Sequence, residues 1–136
     1  MDFVNELRKR GKRITNAREV VCKILETSGH KHFTVEELHK LSLKKDKNID
    51  LATVYRTLEL LENINLIEHS HQVHGSGLYF VKDVHSNIHI VCESCGEISD
   101  LDIKTSKKVN NLITSKTNFR EITNHFVYSG YCKKCK

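Results

Sequence analysis

The 136-residue sequence predicts an α+β chain, helical over its first part and strand-rich over its second, on three observations. Apolar residues recur at helical spacing as far as Leu61. The pattern changes to strand-like runs from Leu66. Two Cys-x-x-Cys pairs then follow in the strand-rich part. A chain of this length holds one ordinary domain or two small ones. Two small ones bury little apolar surface, so each needs a metal, a disulfide or a partner chain.

The helices come first. Asp2 to Arg10 carries Phe3 and Leu7 one turn apart. Thr15 caps a second helix with the stripe Ala17, Val20, Val21, Ile24 and Leu25, which stops at Gly29. Thr34 and Glu37 form a capping box before a third helix with Val35, Leu38 and Leu41. Asp50 caps a fourth, predicted to turn Leu51, Val54, Leu58 and Leu61 inward. Leu66 to Val81 reads as a strand pair around the turn His74-Gly75-Ser76-Gly77. Helices followed by a hairpin give the order of a winged helix-turn-helix, here with one extra helix in front.

Beyond Val81 the texture changes, and a domain boundary is expected between Lys82 and His85. Ile88, Ile90 and Val91 form a strand ending at Cys92, and a short strand follows Gly96. Asp102 starts a helix with Ile103, Val109, Leu112 and Ile113, and Phe119 to Tyr131 returns as a strand. The prediction is an N-terminal winged helix-turn-helix over residues 1–82, then a small α/β domain over 83–136, too small to be stable unaided.

Cys92-Glu-Ser-Cys95 and Cys132-Lys-Lys-Cys135 supply what that domain lacks. Each pair can place two thiolates on one ion, and together they complete a tetrahedral Zn2+ shell at roughly 2.3 Å. Gly96 lets the backbone curl over sulfur, and Lys133 and Lys134 favour thiolates. A redox Cys-x-x-Cys is the rival, but that motif occurs once, at a helix start, rather than twice at strand ends. Cys22, in mid-helix, reads as a small core residue. No apolar run is long enough for a membrane span and no apolar signal core opens the chain. A cytoplasmic protein is therefore expected, with thiols rather than disulfides and no membrane partner.

Net charge is +5, with 22 Lys and Arg against 17 Asp and Glu. Arg8, Lys9, Arg10, Lys12, Arg13 and Arg18 lie close together with no acid among them, which suits a phosphate backbone, although a solvated helix face has the same composition. On the fourth helix Ala52, Tyr55, Arg56 and Glu59 point outward, with Thr53 at the edge. Arg56 can take guanine O6 and N7, and Ala52, Thr53 or Tyr55 a thymine methyl. Arg13 and Arg18 are candidate phosphate or minor-groove contacts to double-stranded DNA. The competing reading leaves Tyr55 packed and Arg56 solvated.

Nine histidines raise a second metal site. Strand alternation puts His89 on one face with Asn87 and His85, and Asp100 lies on the next strand. A histidine and carboxylate set of this kind suits Fe2+, Mn2+, Zn2+ or Ni2+. Catalysis finds no support: His-Glu-x-x-His, Gly-x-Ser-x-Gly and a phosphate loop are absent, and a shell of four thiolates leaves no position for substrate. A zinc-ribbon interaction module is the remaining rival, and it leaves the Ala52-to-Arg56 helix without a role.

These pieces, in this order, resemble the ferric uptake regulator (Fur) family over essentially the whole chain. The matching stretches are Arg13-Ile-Thr-Asn-Ala-Arg18, Leu51-Ala-Thr-Val-Tyr-Arg56, His89-Ile-Val-Cys-Glu-Ser-Cys-Gly96, Asp100 and Gly130-Tyr-Cys-Lys-Lys-Cys135. The resemblance implies a homodimer joined through its C-terminal dimerisation domains and reading an A/T-rich palindromic operator. It implies structural zinc at Cys92, Cys95, Cys132 and Cys135, and a regulatory metal at His32, His89 and Asp100. The family's carboxylate near the end of the wing is replaced by Phe80 and Val81, and its histidine two before His89 by Asn87. His85 or Asp83 is expected to compensate. The family's peripheral site is lost, with Ser86, Ile88 and Lys107 in ligand positions. His125 sits one residue nearer Cys132 than usual.

An aspartate at position 100 with four zinc cysteines resembles the peroxide-sensing PerR branch, in which Fe2+ reacts with H2O2, a ligand histidine is oxidised and DNA is released. His32 is then the candidate for oxidation. His69 and His71, with His125, His32, His85 and His89, resemble instead the nickel-responsive branch, and iron or zinc homeostasis stays open. The expected function is a metal-dependent repressor, PerR-like with regulatory Fe2+ or Mn2+, or with Zn2+ or Ni2+ in the other branches.

Overall fold

A computed structural model describes residues 1–29, 31–70, 77–82, 88–122 and 126–135. The chain divides into two compact units, Met1–Lys82 and Asp83–Lys136. The first runs α1 (Phe3–Lys9), α2 (Asn16–Thr27), α3 (Val35–Leu43), α4 (Leu51–Asn63), β1 (Ile67–Ser70) and β2 (Leu78–Val81). The second runs β3 (Ile88–Cys92), β4 (Ile98–Asp100), α5 (Ile103–Lys116) and β5 (Phe126–Gly130).

Each helix of the first unit starts where a side-chain oxygen meets an orphan amide. Asp2 accepts from the Asn5 amide at 2.9 Å, Thr15 from Arg18 at 3.3 Å and Asp50 from Thr53 at 2.7 Å. At α3 the capping box closes in both directions: Thr34 Oγ1 accepts from Glu37 N at 3.2 Å, and Glu37 Oε2 from Thr34 N at 2.9 Å. The end of α4 was not foreseen. Asn65 sits at φ +59, its amide bonds Glu62 O at 2.8 Å, and the Leu66 amide bonds Leu61 O at 3.0 Å. This 5→2 and 6→1 pair turns the chain out of the helix, with Leu61 and Leu66 both entering the core.

That core gathers Phe3 and Leu7 from α1, Val21, Cys22 and Leu25 from α2, Val35 and Leu38 from α3 and Val54, Leu58 and Leu61 from α4. Phe33, Ile49, Ile67 and Tyr79 complete it from outside the helices. Cys22 is fully buried, and desolvation pushes its thiol up to about 12, as befits a core residue. One inward assignment is corrected: Leu51 is 37% exposed, because it opens the first turn of α4 and overhangs the end of the core. Thr57 is buried in its place and returns its hydroxyl to Thr53 O at 2.9 Å.

β1 and β2 pair antiparallel, Ile67 opposite Val81 and His69 opposite Tyr79. Phe33 exchanges both backbone hydrogen bonds with Tyr79, at 2.8 and 2.7 Å, which tacks the segment before α3 onto the hairpin. Residues 74–76 of the predicted turn lie outside the described residues. Gly77 is described, and a Cβ there would stand 2.0 Å from His69 Nε2. The His69 ring is stacked on Tyr79 with centroids 4.2 Å apart, so this close approach calls for glycine.

The second unit carries a three-stranded sheet in the order β4-β3-β5. β3 and β4 are antiparallel, with His89 opposite Asp100. β3 and β5 are parallel, with Ile90 opposite Tyr128 and Cys92 opposite Gly130. Asp102 caps α5, accepting from Thr105 N at 3.0 Å. Two expectations are corrected. The final strand starts at Phe126 rather than Phe119, which is 73% exposed. On α5 the predicted apolar stripe is not sequestered: Ile103 and Leu112 are exposed, and Ser106 is its buried residue. Among the described residues no helix is long and apolar enough to cross a membrane.

Candidate metal centres and DNA-reading surface

The four cysteines come together as their spacing implies. Cys92 ends β3, and Cys132 follows β5 two residues after Gly130. Because those strands run parallel and side by side, both pairs emerge at one end of the sheet. The Sγ atoms of Cys92, Cys95, Cys132 and Cys135 all lie within 4.8 Å of one another, and those of Cys95 and Cys132 are 3.7 Å apart. Tight turns curl each pair: Gly96 N donates to Cys92 O at 2.9 Å with Gly96 at φ +75, and Cys135 N to Cys132 O at 3.0 Å.

The electrostatics call for a cation. Amides of Cys132 and Cys95 donate toward Cys92 and lower its thiol to about 6. The thiols of Cys95, Cys132 and Cys135 are pushed up. The Glu97 and Lys134 amides and Ser94 favour their thiolates, but sulfur–sulfur hydrogen bonding and desolvation outweigh them. Four sulfurs this close resist collective ionisation unless a metal compensates. Four soft donors in a closed cluster fit structural Zn2+.

His89 is fully buried on β3, and its Nδ1 meets Asp100 Oδ1 directly across from it on β4. In the first unit, His32 is buried and its ring stacks on Phe80, centroids 4.6 Å apart. Phe80, where the resemblance would place a carboxylate, thus contributes an aromatic face. His69 lies in β1 against Tyr79. Asp83, His85, Asn87, His71 and His125 lie outside the described residues.

α4 presents Ala52, Tyr55, Arg56 and Glu59 outward, with Thr53 partly covered. Arg56 Nη2 donates to Thr53 Oγ1 at 3.3 Å, a weak contact that a base edge can replace. Arg13 is exposed, whereas Arg18 is half-buried and donates through Nη1 to the Arg13 carbonyl. Arg18 therefore holds the loop that displays Arg13, a role that sequence pattern could not separate from direct contact. Leu51 is the residue sequence reasoning missed here: exposed beside Ala52 and Tyr55, it adds apolar area to the outward face of α4.

Comparison with known proteins agrees with this geometry. The family model of the ferric uptake regulator family matches residues 9–129. The chain belongs to the ferric uptake regulator family. Membership makes it a transcriptional regulator rather than an enzyme. Among curated relatives, the peroxide-responsive repressor PerR of Staphylococcus epidermidis is 33% identical over 137 residues, spanning 99% of this chain and 89% of the relative. Among solved structures, the ferric uptake regulator Fur of Helicobacter pylori, described as having three functional metal-binding sites, aligns with a TM-score of 0.79 at 28% identity, covering 98% of this chain and 88% of that one. The Campylobacter jejuni peroxide stress regulator aligns at 0.66 and 29% identity, covering 100% and 98%. The α+β fold, with its winged helix-turn-helix and four-cysteine cluster, is that of the family.

Proposed function

We propose that this Fur-family regulator is a metal-dependent, DNA-binding repressor that works as a homodimer and responds to peroxide through bound Fe2+ or Mn2+. The observation that carries the DNA-binding part is the outward face of α4: Ala52, Tyr55 and Arg56 are exposed on a helix whose opposite face is wholly committed to the core. Residues 1–82 form the reading domain and residues 83–136 the dimerisation and metal-binding domain. Arg13, Ala52, Thr53, Tyr55 and Arg56 contact an A/T-rich palindromic operator, with Arg18 positioning Arg13.

Zn2+ on Cys92, Cys95, Cys132 and Cys135 is structural. His32, His89 and Asp100 are the regulatory ligands, and His85 is the further candidate. Support comes from the environments of the described three: His89 is already oriented by Asp100, and His32 is held by Phe80. Ligands drawn from both units would couple metal occupancy to operator affinity, and ~1–3 kcal/mol of coupling is enough for regulation. Support for homodimerisation comes from the second unit, where Ile90 and Tyr128 are register partners on neighbouring strands and both are exposed. A cytoplasmic location follows from the role.

The peroxide reading rests on likeness to peroxide-responsive repressors and on Asp100. Bound Fe2+ supplies the redox chemistry, and His32 is the residue of this chain expected to take up oxygen. A second reading, iron homeostasis, is favoured by the higher TM-score to the H. pylori Fur than to the C. jejuni peroxide regulator. Operator binding by protein loaded with Fe2+, Mn2+, Zn2+ or Ni2+, each before and after H2O2, separates them. Loss of binding after iron and peroxide, with one added oxygen on the His32 peptide, is the expected result. Full repression after that treatment removes the peroxide reading. His89→Ala should abolish metal dependence while keeping the fold and zinc content. Unchanged metal dependence would remove His89 from the regulatory set.

A further inference from the structure

The turn between α3 and α4 contains Lys44, Lys45, Asp46 and Lys47, and the structure gives it more order than a solvated charge run needs. Lys45 N and Asp46 N both donate to Ser42 O, at 2.9 and 3.0 Å. Asp46 Oδ1 accepts from Asn48 N at 2.9 Å, and its Oδ2 accepts from Asn16 Nδ2 at 2.6 Å. At the far end of the turn, His39 Nε2 meets Ile49 O at 2.8 Å. The turn is thus fastened to α3 on one side and to the first residue of α2 on the other.

Both acids of this segment are taken up by hydrogen bonds to the protein rather than by the lysines. Asp46 uses its two oxygens as described, and Asp50 caps α4. All three lysines are exposed, and none forms an ion pair among the described residues. Elsewhere in the same unit Lys9 pairs with Glu6 at 3.0 Å and Lys23 with Glu19 at 2.8 Å, while Lys12, Lys31 and Lys40 are exposed singly rather than as a cluster. Three uncompensated cations on a fastened turn stand immediately before the helix that carries Ala52, Tyr55 and Arg56.

From this we propose that Lys44, Lys45 and Lys47 form a phosphate clamp that seats α4 in the major groove of duplex DNA. The proposal rests on the DNA-binding reading above and deepens it. Through the Asn16–Asp46 hydrogen bond the clamp adjoins the start of α2, three residues after the exposed Arg13. Phosphate contacts carry no sequence information. The clamp therefore sets affinity and salt dependence and leaves discrimination to Arg56 and its neighbours.

The test uses full-length, metal-loaded protein and two 30-base-pair duplexes, one A/T-rich and one of scrambled sequence, titrated by fluorescence anisotropy over a range of KCl. Replacing Lys44, Lys45 and Lys47 together with Gln should lower the salt slope by about 2–3 per protomer, at ~0.9 per lost contact, hence by about 5 for a homodimer on its operator, and weaken both duplexes equally, by at least roughly a hundredfold. The triple Arg variant should keep the wild-type slope. Replacing Lys104, Lys107 and Lys116 of α5 with Gln removes equal charge and should change the slope by less than about 0.5. An unchanged slope in the turn variant, or an equal fall in the α5 variant, overturns the clamp while a steep wild-type slope leaves the DNA-binding reading standing. A wild-type slope near zero overturns both.

Discussion

The two units of this chain hold themselves together by different means. The first buries an apolar cluster drawn from four helices and a hairpin, from Phe3 to Tyr79. Among the described residues of the second, the buried apolar side chains are Ile88, Val91 and Cys92, all from β3, while Ile90, Ile103, Leu112 and Tyr128 face outward. Burial at ~25 cal/mol per Å2 can stabilise the first without assistance. The described part of the second has little of it, and its four cysteines are gathered at the ends of β3 and β5, where a bound metal would cross-link the strands. Hydrophobic collapse fixes α4, and on the proposed reading metal coordination fixes the second unit.

The largest effect expected from this contrast follows loss of zinc. Cys95→Ser, or chelation of the wild type under reducing conditions, removes a binding free energy of roughly 10–16 kcal/mol from a unit with little else to order it. Amide exchange should show β3 and β5 losing protection while α2 and α4 keep theirs. A demetallated, reduced chain whose β3 amides stay protected would show that the second unit is held by its apolar contacts after all. The complementary change is Leu58→Ala. Leu58 is fully buried between the helices of the first unit, and its truncation should destabilise that unit by about 2–5 kcal/mol in urea while leaving zinc content unchanged. Simultaneous loss of zinc would mean that the units unfold as one.

The same contrast explains what the sequence made legible. Thr15, Thr34, Asp50 and Asp102 were recognisable as caps because capping is local, written within three residues. The cysteine cluster was recognisable because two Cys-x-x-Cys pairs have the spacing that places four sulfurs on one metal ion. Contacts that join distant segments were not. The bridge from Phe33 to Tyr79 is a single residue pair with no periodicity to announce it. Leu51 fitted the inward period of α4 and still faces solvent, because a helical wheel does not know where the core ends. The stretch from Phe119 has strand-like composition, but among the described residues it is Phe126–Gly130 that pairs with a neighbouring strand, β3. The proposed regulatory ligands were only half legible: His89 and Asp100 share a ladder position, whereas nothing in the sequence around His32 announces that it stacks on Phe80.

If a second copy covers the outward apolar residues of the second unit, a charge placed there should be felt in assembly and not in the first unit. Ile90→Asp sets a carboxylate beside Tyr128 on the exposed sheet face. It should raise the dimer dissociation constant by at least about tenfold, near 1.4 kcal/mol, in sedimentation equilibrium. α4 should stay folded and zinc should stay bound. A dimer as tight as the wild type would move the interface off the Ile90–Tyr128 pair.

The smallest effect compares the two aspartate caps. Hydrogen bonds from the Thr53 hydroxyl and amide hold the Asp50 carboxyl below its ordinary value, and those from Thr105 do the same for Asp102. A carboxyl depressed in the folded state contributes stability above its unfolded value of roughly 3.9, and that contribution is lost as pH falls through the folded value. Asparagine caps a helix nearly as well without titrating, so either Asp→Asn change should be close to silent at pH 7. Below about pH 4 the two helices should diverge. α4 is anchored by Val54, Thr57, Leu58 and Leu61, so protonating its cap removes a minor part of what holds it. α5 buries Ser106 and leaves Ile103 and Leu112 outside, so its cap is a larger share of its hold. In hydrogen exchange at acid pH, Asp102→Asn should therefore restore protection to α5 more than Asp50→Asn does to α4. Equal rescue of the two helices would mean that α5 is packed as firmly as α4, and that the difference between the units lies in the metal cluster alone.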